Sequence, residues 1–134
     1  MRKETRALDL ARTVAAIVDA HVRGETTDVE LLLHSDDDNS RHLARVAAAV
    51  AVLACELAYR FGHNTHAVAF YLQATSARKI TADELRRPEV QRMLIRGIGQ
   101  GAGYMAAMSV KSLGREDARS ASQRLVVELA VREP

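Results

Sequence analysis

The chain has a single cysteine, Cys55, so no disulfide can form within it. That usage fits a reducing compartment. There is no tryptophan, and aromatic residues make up only 4%. The core must therefore come from Ala, Val, Leu, Ile and Met, side chains that suit close packing of helix on helix. The most hydrophobic run, Val46 to Cys55, is ten residues long, against the roughly 20 that a membrane span needs. No membrane partner is expected. The charged start, Met1-Arg-Lys-Glu-Thr-Arg6, leads into an amphipathic stretch and not into an apolar signal region, so the expected location is cytoplasmic. With two prolines and no low-complexity or Pro-rich tract, nothing divides residues 1–134 into more than one domain.

What is present points to a folded helical protein. Hydrophobic residues reach 48% and charged residues 27% of 134, a globular balance in a chain long enough to bury a real core. Arginine outnumbers lysine sixteen to three, and alanine supplies 23 residues. Such a bias follows from GC-rich coding and suggests a bacterial or phage source. The net charge is only +2, but it is unevenly spread. Between Gly24 and Ser40 lie six acids and no Lys or Arg, whereas Arg86 to Arg115 holds six bases against Glu89 alone. Asymmetry of this kind serves a basic binding face, or two copies docking acid to base; solvated faces of opposite sign are the plainer account.

Apolar periodicity is helical nearly throughout. Leu10, Val14, Ile17, Val18 and Val22 share one face of a first helix, which Gly24 should stop. Thr26-Thr27-Asp28 can cap a short second helix carrying Val29 and Leu31 to Leu33. The third, about Arg41 to Phe61, holds only Arg45 and Glu56 as charges between Leu43 and Ala58, so it should be enclosed by other helices. Gly62 ends it, and Asn64 or Thr65 caps a fourth helix to about Lys79. Thr81-Ala-Asp-Glu84 reads as a capping box. Pro88 suits the first turn of a long helix to Leu113, and after Gly114 a last helix runs to about Val131. The pattern helix, glycine, short polar turn, helix recurs at Gly24, Gly62 and Gly114. It predicts an all-α, compact bundle of about six helices arranged as three antiparallel helical hairpins.

Four glycines, Gly97, Gly99, Gly101 and Gly103, fall within seven residues of the long segment. Each costs a helix about 1 kcal/mol relative to alanine, so close approach of a neighbouring helix should offset them. With Ala106 and Ala107 they outline a groove for another helix, internal or from a second subunit. A phosphate loop fits less well, because the string lacks the dinucleotide fingerprint, a preceding strand and the Gly-Lys-Ser/Thr of a P-loop. The sequence alone does not separate helix from loop at this point.

Residues 81–96 outline a helix-turn-helix in which Arg86, Arg87, Gln91, Arg92 and Arg96 would contact nucleic acid while Val90 and Leu94 face the core. The turn lacks a glycine, and the net charge is low for a DNA binder. Glu56, Tyr59, Arg60 and His63 form a polar stripe that could pair Glu56 with Arg60, or serve as an acid–base site. An ion pair and a tyrosine at the core's edge are the plainer account of the stripe. His63, His66 and Cys55 make a poor zinc signature. The Asp36 to Ser40 run lacks the glycine and closing glutamate of a calcium loop. No metal, cofactor or small-molecule substrate is expected.

No nucleophile elbow, paired catalytic carboxylates or metalloprotease helix appears. The expected function is a non-enzymatic interaction or assembly protein, acting by self-association or by docking a protein partner. A DNA-binding regulator using residues 81–96 is the alternative, and a small helical enzyme centred on Glu56 and His63 the third.

Overall fold

The computed structural model describes residues 3–25 and 39–113. They form five helices and no strand: α1 (Lys3–Val22), α2 (Asn39–Arg60), α3 (Asn64–Lys79), α4 (Ala82–Leu85) and α5 (Pro88–Leu113). The chain is all-α. The predicted short helix at Val29 to Leu33, the stop at Gly114 and the last helix to Val131 lie outside the described residues.

Two glycines end helices as the sequence suggests, and by the same device. Gly24 and Gly62 have φ of 76° and 74°, a left-handed conformation open mainly to glycine. After α1, the Gly24 N–H donates to the His21 carbonyl and that of Glu25 to Ala20; after α2, Gly62 donates to Tyr59 and His63 to Ala58. These paired bonds form a Schellman motif, which satisfies carbonyls that a helix end leaves free. The three-residue turn at Gly62 folds α3 back on α2 as one antiparallel hairpin.

α2 is the centre of the molecule and touches every other described helix. Val46, Val50, Ala54 and Ala58 are fully buried. By length and composition Arg41–Arg60 could cross a membrane, a property the ten-residue run does not reveal, because Leu43 and Ala44 before it and Leu57 and Ala58 after it extend the apolar character. In the fold 56% of that span is buried against other helices, as expected of a core helix.

α1 contributes the predicted face, with Val14, Ile17, Val18 and Val22 buried and Leu10 packed beside them. α4 is a single turn opened by the capping box: Thr81 accepts from the Glu84 amide, and the Glu84 side chain accepts from the Thr81 amide. Pro88 then starts α5, whose buried Leu94, Ile98, Ala102, Met105 and Ala106 complete the core. α5 runs antiparallel to α3, since Gln73 bonds Gln100 while the earlier His63 bonds the later Tyr104.

Candidate interaction surface

The glycine stretch is helical, and its residues point at different neighbours. A Cβ on Gly101 would lie 2.5 Å from Val50 Cγ1 and 3.6 Å from Ala54 Cβ, so here α5 meets α2 at a separation only glycine permits. The predicted close approach exists, and the helix that fills it is α2 of the same chain. A Cβ on Gly97 would meet the Gln73 amide of α3 at 3.5 Å, and one on Gly103 the His21 ring of α1 at 3.8 Å. Gly99 faces open space. Ala106 is buried and Ala107 exposed. The six positions thus do not line one open groove: they turn around the helix, and Gly101 and Ala106 are already covered.

The predicted polar stripe also divides. Glu56, Tyr59 and Arg60 are exposed, and the ion pairs formed among the described residues do not include Glu56 with Arg60. His63, half-buried at the start of α3, turns away from them and shares a 2.7 Å hydrogen bond with the Tyr104 hydroxyl. Its ring also stacks with Phe61, while His66 and Phe70 pack around Tyr104. This cluster fastens the α2–α3 turn to α5. Burial raises the Tyr104 phenol pKa, which favours the neutral hydroxyl. Sequence reading missed Tyr104, which lies 41 residues from its partner and carries no local signature. Burial, followed by the charge of Glu56, raises the Cys55 thiol pKa, which keeps it a thiol and not a nucleophilic thiolate. Among the described residues no cluster of three or more His, Cys, Asp and Glu could hold a metal ion.

Of the predicted nucleic-acid contacts, Arg86, Arg87, Arg92 and Arg96 are exposed. Gln91 is not free to read a base edge, because its Nε2 donates to the Leu85 carbonyl at 2.8 Å and secures the end of α4. Leu94 is buried and Val90 packs against the core, as predicted. Arg86 has only a loose 3.9 Å approach to Asp83, with both side chains solvated.

The surface that sequence reading missed is the outward side of α3. Ala67, Phe70, Ala74 and Ala77 face the core, yet Val68, Tyr71 and Leu72, turned out from it, are 59%, 63% and 58% exposed. Spaced i, i+3 and i+4, they lie on one face. Half-buried Thr75 continues it, its hydroxyl turned back to the Tyr71 carbonyl. From Phe61 through Ala77 there is no Asp, Glu, Lys or Arg, so charge on this face begins only with Arg78 and Lys79 at the end of the helix. The available signal was that uncharged interval, with apolar residues on both sides of one helix. Comparison with protein-family models, with curated proteins and with solved structures finds no match for this chain.

Proposed function

We propose that this is a non-enzymatic helical interaction protein of the cytoplasm, which works by associating through the outward face of α3. The observation that carries the reading is the grouped exposure of Val68, Tyr71 and Leu72 within a stretch of helix free of Asp, Glu, Lys and Arg. Single exposed apolar side chains are ordinary, whereas a contiguous set on one helix face marks a contact surface. Tyrosine is enriched in such contacts because it combines a large apolar ring with a polar tip. The groove at Gly101 no longer supports docking, since α2 occupies it.

Molar mass by light scattering tests the reading. An assembly larger than one chain is expected, and it should persist at high salt, because burying apolar area does not depend on charge screening. A monomer at every concentration would contradict it.

A second reading, DNA binding through residues 81–96, is supported by the exposure of Arg86, Arg87, Arg92 and Arg96. It would give retention on duplex DNA that falls steeply with salt, and absence of binding at low salt removes it. The one-turn α4 and the engaged Gln91 count against it, so association through α3 is the preferred reading.

A further inference from the structure

We draw no further inference here: the strongest candidate, the outward apolar face of α3 around Val68, Tyr71 and Leu72, carries nothing beyond the association already proposed, because nothing in the structure shows what covers it.

Discussion

α2 and α3 are successive arms of one hairpin and both are poor in charge, yet the fold treats them differently. α2 is surrounded: its valines and alanines pack against α1, α3 and α5. α3 buries one face of alanines and Phe70 and leaves Val68, Tyr71 and Leu72 in solvent. An apolar helix in the middle of a bundle is explained by its neighbours. On the outside, the same chemistry asks for a partner the monomer does not contain.

The contrast is broken most severely on the covered side. Gly101→Val should cost about 3 kcal/mol or more: alanine's Cβ alone would press on the fully buried Val50, branched side chains yield little in a helix, and overpacking is penalised. Denaturant unfolding would measure this, and a variant as stable as the parent would mean that α2 and α5 are farther apart than described. Tyr104→Phe should cost about 1 kcal/mol by removing the hydroxyl that bonds His63. It also has a pH signature. Because burial raises the Tyr104 pKa, the folded state favours the neutral phenol. That contribution is present below the ordinary tyrosine range near pH 10 and is lost as pH rises through the raised value. Stability should therefore fall more steeply with rising alkaline pH for the parent than for Tyr104→Phe.

On the open side the sign reverses. Gly99→Ala should stabilise the protein by roughly 0.5–1 kcal/mol, because helix propensity improves and the new methyl meets nothing within 4 Å. Gly99 and Gly101 are two residues apart in one helix, so opposite signs would test the packing directly. Equal effects would contradict it. Smallest in the stability of the lone chain is Leu72→Asp, within about 0.5 kcal/mol as for other solvent-facing changes; at concentrations where the parent associates it also loses what association adds.

Much of the fold was legible because it rests on local chemistry. Gly24 and Gly62 end helices, Thr81 and Glu84 cap one, and Pro88 begins another. The enclosed character of α2 followed from its lack of charge, and the face of α1 from its period. What was not legible depends on the order in which helices surround each other. Glycines two residues apart point to different sides of a helix, and only the position of α2 shows that Gly101 is filled and Gly99 open. Tyr104 meets His63 through tertiary packing across 41 residues, for which no spacing rule exists. Gln91 seemed free to read bases, but the break between α4 and α5 gives it a backbone carbonyl to satisfy. The α3 face was overlooked for a related reason. Two apolar sides on one helix resemble a buried helix in sequence, and solvent exposure distinguishes them only once the neighbours are placed.

The central claim is that association runs through the outward face of α3, and sedimentation equilibrium on Leu72→Asp beside the parent tests it most directly. The parent is expected to associate and the variant to be monomeric, with the same helical circular dichroism and an unfolding midpoint that matches the parent's at low concentration and falls below it where the parent associates. A variant that associates as tightly as the parent would contradict it and place the contact on another surface.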